Sequence, residues 1–280
     1  MKHTCKIISA QFSEFGKSEK LIAAMIMGAA FACYYSCQFL RFANAASVPV
    51  NPVECYIING SGRNHFTCTV LFSILLMTFD APFFSERSVY EIARVGKKQW
   101  LASKTVSVFL EILAYNLLIF LITAALSLFC AENYVFGSWS PAMSRLAEAG
   151  IISLGGLHIY FPYSDFIDSL SPTAAVSVTY LLNSAYCLVL SLVMMNCNIL
   201  LGRATGWIVG AVIHILGYVV SNNGHGVLFR FAFSLLDCAL PAHQFSKATP
   251  SKAIASGIIF VIIIVGLLLP AKWLWKRLVQ

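Results

Sequence analysis

Two acids stand inside long apolar runs, Asp80 and Glu111. An ionisable side chain held within a bilayer-length run is a candidate for function by default. Asp80 precedes Ala81-Pro82, a pattern that also caps a following helix, and Arg87 or Lys104 is within sequence reach to pair with it. Glu111 lies seven residues past Lys104, about 10 Å along a helix. There it serves either as a polar gate or as a partner between helices. Asn183, Asn196 and Asn198 offer amides that bond helix to helix or line a polar path. His214 is a packed, hydrogen-bonded side chain or a proton relay. A different chemistry, recognition, is written into Ser85 to Lys104. Arg87, Glu91, Arg94 and Lys98 recur at +4, +3 and +4 on one helical face, and Val89, Ile92, Gly96 and Trp100 on roughly the opposite one. Five basic and two acidic side chains there suit an acidic partner beside an anionic leaflet. A loop with no duty beyond charge-guided orientation would carry the same residues.

Covalent chemistry finds no support. The patterns H-E-x-x-H and G-x-S-x-G are missing. The phosphate-cradling G-x-x-x-x-G-K-[ST] is missing too, because Gly16-Lys17 and Gly96-Lys97 lack the upstream glycine. His158, His225, His243 and Cys238 have no metal-ligand spacing. The chain is expected to be no enzyme and to carry no cofactor.

The elements that must position these residues follow from composition. Of 280 residues, 59% are hydrophobic and 11% charged, against about 25% charged in a soluble domain. Several apolar runs reach the roughly 20 residues needed to cross a bilayer. The expectation is an all-α membrane protein with six transmembrane helices: about Leu21–Leu40, Phe66–Phe84, Thr105–Cys130, Ala174–Leu201, Ala204–Val220 and Ala253–Leu269. Residues 1–20 repeat Cys5, Ile8, Phe12 and Phe15 between lysines, as an amphipathic helix on the cytoplasmic leaflet would. Residues 44–65 are expected to be a polar loop, with Asn59-Gly60-Ser61 matching a glycosylation acceptor. Residues 131–171 form an outer loop whose centre, Gly150 to Tyr163, lies at the interface. Residues 221–252 hold a 14-residue apolar run, Val227 to Leu240, interrupted by Arg230 and Asp237. Such a run suits a re-entrant segment better than a span.

Nine cysteines make no disulfide scaffold here: Cys33, Cys37, Cys187 and Cys197 lie in apolar runs, where a thiol acts as a small buried hydrophobe, and the odd total argues against full pairing. One or two bridges among Cys55, Cys68, Cys130 and Cys238 stay open, since pairing is unreadable from sequence. The formal charge of +7 is spread between spans rather than in a tract, which argues against nucleic acid and for membrane lipid. With both termini cytoplasmic, thirteen basic residues fall inside, in the amino-terminal segment, Ser85–Lys104, Arg203 and the carboxyl-terminal Lys272, Lys276 and Arg277. Six fall outside: Arg41, Arg63, Arg145, Arg230, Lys247 and Lys252. The positive-inside rule favours that orientation in the cell membrane.

This layout resembles the membrane-spanning permease subunit of type-2 ABC exporters. The local likeness is carried by Asp80-Ala81-Pro82-Phe83-Phe84 and by Arg94-Val95-Gly96-Lys97-Lys98-Gln99-Trp100 running to Lys104. The resemblance implies that residues 85–104 contain a coupling helix, with Arg87, Glu91, Arg94, Lys97, Lys98 and Trp100 docking a separate ATP-binding cassette ATPase. It also implies pairing as a homodimer or with a paralogous permease. The competing reading is a non-ABC polytopic protein, such as an ion-coupled transporter, immunity or sensor component, working through Asp80 and Glu111.

Overall fold

Small residues decide how the first helix packs. The computed structural model describes residues 18–79, 81–82, 86–154, 157–202, 205–223, 234–245 and 251–274. Helix α1, Glu19–Ala45, buries Ala24, Gly28, Ala32 and Ser36 in one row at four-residue spacing and leaves Ile22, Ile26 and Tyr34 outward. A row of this kind lets backbones approach closely where lipid supplies no hydrophobic contrast. Next come α2, Glu54–Ser61, and α3, Arg63–Thr69, separated at Gly62. The helical run continues through a π-helical turn, Val70–Ile74, and the short α4, Leu75–Met77. Helix α5, Glu86–Val95, is followed by α6, Lys97–Cys130. With 34 residues, α6 is about 51 Å long, well beyond the roughly 30 Å of a hydrocarbon core.

After α6 the chain builds a cap: α7, Pro141–Ala149, an antiparallel hairpin of β1, Ile151–Leu154, and β2, Leu157–Tyr160, then α8, Ser164–Ser169. Helix α9, Pro172–Leu201, α10, Thr205–Asn223, a short α11, Leu235–Ala239, and α12, Ser251–Leu274, complete the order. Both α7 and α9 open with a serine whose hydroxyl accepts from the third residue on, followed by proline at the first helical position. Among the described residues, α1, α6, α9 and α10 are long and apolar enough to cross a membrane, which makes this a helical membrane protein by length and composition.

There are two cores. The larger lies between α1, α3, α6, α9 and α10, around Tyr56, Ile74, Ile112, Tyr115, Tyr186 and Met194. The second, with Phe39, Ile57, Met143, Leu146, Phe161 and Phe166, fills the cap and the ends of the helices beneath it. Gly206 shows how tightly α10 meets α9: an added Cβ would lie 2.2 Å from the Met194 carbonyl oxygen and 2.6 Å from Asn198 Oδ1. Because the obstacle is backbone, Gly206→Ala should cost about 3 kcal/mol, the upper end for overpacking. The midpoint of thermal unfolding in detergent would fall accordingly, and an unchanged midpoint would contradict this packing.

Several expectations are corrected. Residues 44–65 are no exposed polar loop, since every residue of α2 is buried. The reason is its content: Cys55, Tyr56, Ile57 and Ile58 pack inward, and Asn59 donates to Ser36 Oγ (2.9 Å), Cys55 O (2.8 Å) and Ala32 O (3.3 Å). Asn59 is therefore no accessible glycosylation acceptor. The centre of 131–171 forms a hairpin folded onto α7, closed by Phe161 N donating to Gly150 O (2.9 Å). The eight described cysteines are free thiols, so no bridge joins Cys55, Cys68, Cys130 and Cys238. The amphipathic segment up to residue 17, Asp80, residues 224–233 and 246–250 of the segment read as re-entrant, and the terminal Lys276 and Arg277 lie outside the described residues.

The cap is tied down by Glu54. Its Oε1 accepts from Ser140 N (2.7 Å), and Oε2 accepts from Ser140 Oγ (2.6 Å) and Asn51 N (3.0 Å). Burial pushes this carboxyl up to about 7, against those three bonds. The folded cap thus holds a proton that the unfolded chain, with a carboxyl near about 4.3, has released. The contribution of Glu54 is complete below about pH 4.3 and is lost as pH rises through about 7. The stability advantage of wild type over Glu54→Ala should shrink across that window; an advantage that grows with pH would contradict the assignment.

Candidate functional site

Gly96 makes the elbow possible. Its φ of +80° belongs to a region that glycine enters without steric cost, and no atom stands within 4 Å of a Cβ added there. Helix α5 ends at Val95, the chain turns at Gly96, and α6 begins at Lys97 rather than at Thr105. Lys97, Lys98, Trp100 and Lys104 therefore belong to the first two turns of the long helix. The two helices are braced by one cluster. Trp100, fully buried, donates its indole N–H to Glu91 Oε2 (2.9 Å), and Lys104 Nζ lies 4.0 Å from the same oxygen and 5.5 Å from the Trp100 ring centroid.

This arrangement sorts the residues singled out in the sequence. Glu91 and Trp100 turn toward each other and hold the elbow shut, so Trp100 offers no outward surface. Arg94, Lys98 and Gln99 are exposed, as is Tyr90 at 78%, and Lys97 is half-buried. The backbone of Arg87 lies in α5, and its side chain is outside the described residues. What remains outward is a basic, partly aromatic surface on a short rigid arm.

The intramembrane candidates lie deeper and apart. Glu111 is buried on the inward face of α6, one turn before Tyr115. Asn183 donates to Gly60 O (3.3 Å), Asn196 to Leu267 O (3.1 Å), and Asn198 to Phe79 O (3.0 Å) and Ala81 O (2.8 Å) while accepting from Gly206 N (2.8 Å). Each amide stitches one segment to another. His214 is held by the Tyr186 hydroxyl (2.7 Å) and Thr67 O (3.3 Å). These positions converge on no single point.

One cluster went unrecognised in the sequence. At the cap end, Asp237 Oδ1 accepts from Ser221 Oγ (2.5 Å) and lies 3.2 Å from His243 Nδ1 and 3.9 Å from Arg63 Nη2. Arg63 Nη1 donates to Asn222 Oδ1 (2.7 Å), and Tyr163 Oη lies 2.5 Å from His243 Nε2. An ionised carboxylate only accepts, so His243 must carry its proton on Nδ1, leaving Nε2 to accept from the tyrosine in the neutral ring. Burial pushes the Asp237 carboxyl up, but the bonds from His243 and Ser221, with the charge of Arg63, outweigh it and hold the group below its ordinary value. The cluster gathers α3, the cap, α10 and the 234–245 segment at one place. Its sequence signal was faint: an arginine just past Gly60-Ser61-Gly62, an acid interrupting an apolar run, and a histidine two residues after Pro241. No family model, no curated protein and no solved structure matches this chain, so the reading of both sites rests on their own geometry.

Proposed function

We propose that this chain is the membrane-spanning subunit of an ATP-driven exporter of the type-2 layout, gripping a separate ATPase through the elbow. In this reading the six spans are α1, the run from α3 through α4, α6, α9, α10 and α12, with both termini and the elbow on the cytoplasmic side of the cell membrane. A second copy or a paralogous permease completes the path. The observation that supports it is the braced elbow: α5 is fixed to α6 by Glu91, Trp100 and Lys104, while Tyr90, Arg94 and Lys98 are exposed. A loop that only turned the chain needs no such brace. A surface that receives force does, because a lever must be stiff at its joint.

Arg94→Glu combined with Lys98→Glu is expected to abolish co-purification of the ATPase, since reversing two rim charges turns attraction into like-charge repulsion. Insertion and thermal stability should remain as in wild type, because both side chains are exposed. Retention of ATPase by the double variant, or purification of the parent with no ATPase bound, would overturn the reading in favour of a protein that works alone.

A further inference from the structure

The outward stripe of α6 does not stop where the helix stops. Val106, Phe109, Leu117, Leu121 and Leu128 are exposed at steps of three, eight, four and seven residues, one helical face that lipid covers. Phe129, next in sequence after Leu128, is 88% exposed at the helix end, and then the chain folds back. Tyr134 donates its hydroxyl to Leu128 O (2.5 Å), and residues 133–135 pair with Val50 through Asn133 O and Val135 N (3.0 and 3.1 Å). Asn44 fixes the same exit, donating to Cys130 O (2.9 Å) and accepting from Glu132 N (3.3 Å). These bonds hold Tyr134 beside the last turn of α6, and the ring of the 71% exposed Phe136 lies 6.5 Å from its own. Three exposed aromatic side chains gathered where α6 ends make a patch too apolar to be left in water.

At the opposite end stands a second group: Trp207 near the start of α10, exposed, its ring 6.3 Å from Phe79, with Lys20 Nζ 5.3 Å from the Phe79 centroid. Helix α1 connects the two levels, from Lys20 to Asn44. Those 24 steps span about 36 Å along its axis, between the roughly 30 Å of hydrocarbon and the roughly 40–45 Å that includes headgroups. The spacing is that of two membrane–water boundaries.

We propose that Phe129, Tyr134 and Phe136 are the cap-side membrane anchor, seated in the headgroup boundary, with Trp207, Phe79 and Lys20 marking the other boundary. The partner is lipid, not protein. Lipid continues a face that lipid already covers, and tyrosine and tryptophan, with an apolar body and a polar tip, are the residues that settle at such a boundary. The anchor sets the depth of the molecule. The cap, from residue 140 onward, stands clear of the bilayer, and α6 crosses the core from about Phe129 back to about Phe109 in roughly 20 residues. The stretch from Lys97 to about Thr105, with the elbow, therefore projects toward and beyond the opposite boundary. This holds whatever is transported and does not depend on an ATPase.

Phe136→Trp and Phe129→Trp place a reporter at two exposed positions, where the fold has nothing to lose. The full chain is reconstituted in phosphatidylcholine vesicles, and the emission of each variant is read against its parent. Lipid brominated high on its acyl chains should quench the added signal roughly twofold more than lipid brominated near the chain ends, with little quenching by iodide, as expected for an interfacial ring. Quenching by iodide without quenching by brominated lipid would put the segment in water and overturn the proposal. Resistance to both would mean that protein covers it, a second copy or another chain, and would overturn it equally.

Discussion

Asp237→Ala should lower the unfolding free energy of the solubilised protein by about 3 kcal/mol, the low end of what breaking a buried pair costs. The low end applies because Arg63 keeps 20% of its side chain in solvent, while Asp237 keeps 7%. Most of the loss is not the attraction itself. Removing the carboxylate leaves Arg63 facing the Nδ1–H of His243, 3.4 Å away, and strips Ser221 of its acceptor. Arg63 then keeps its charge in a half-buried place without the carboxylate that balanced it, which is worse than having neither. The test is a cycle. The double variant Asp237→Ala with Arg63→Ala should be less destabilised than the sum of the two single variants, because each single change strands the other's charge. Additive effects would mean that the two residues do not act as a pair. Acid should mimic the mutation. The carboxyl is held below its ordinary value, so its contribution is present above about pH 3.9 and disappears as pH falls through the folded value.

The two sites differ in how far the sequence announced them. The elbow was visible because its information is local: charges at helical spacing, a glycine at the joint and a tryptophan one turn on all lie within twenty residues. What the pattern missed was direction. Trp100 falls on the apolar face opposite Arg94, and an apolar face must be buried against something, yet the sequence alone offered a partner protein as readily as Glu91 of the same arm. The Asp237 cluster was invisible for the opposite reason. Its members come from positions 63, 163, 221, 237 and 243, and no periodicity connects residues whose meeting depends on the packing of four separate segments. The cap fell between these cases. Ser140-Pro141 and Ser171-Pro172 each announce a helix start, and a shorter loop would have followed from them. The burial of α2 had no such signal, because Asn59-Gly60-Ser61-Gly62 has the composition of a turn. Only the inward bonds of Asn59 to α1 show why a helix persists there.

Trp100→Ala should separate stability of the bundle from order in the elbow, and this is the larger of the two effects on the proposed function. Truncating a buried tryptophan costs about 3–5 kcal/mol, and here the loss falls on one joint. Helix α5 has ten residues, shorter than the roughly 12–15 at which an isolated helix becomes even marginal in water. It therefore owes its form to tertiary contacts, the packing of Ile92 and Val95 on the core together with the brace formed by Glu91, Trp100 and Lys104. Without the indole, Glu91 keeps Lys104 at 4.0 Å, an ion pair at the edge of contact. Hydrogen exchange in α5 should accelerate by about two orders of magnitude, the factor that roughly 3 kcal/mol of lost local stability implies, while exchange in α9 stays protected. Trp100→Phe keeps most of the buried ring and loses the N–H bond, so it should cost only about 1 kcal/mol. ATPase retention should follow the order in α5 rather than the charge on its surface: weak for Trp100→Ala despite intact Arg94 and Lys98, and near normal for Trp100→Phe. If Trp100→Ala loosens α5 and the ATPase still binds with unchanged affinity, the stiffness of the joint is irrelevant to gripping, and the basic surface acts as a simple electrostatic patch.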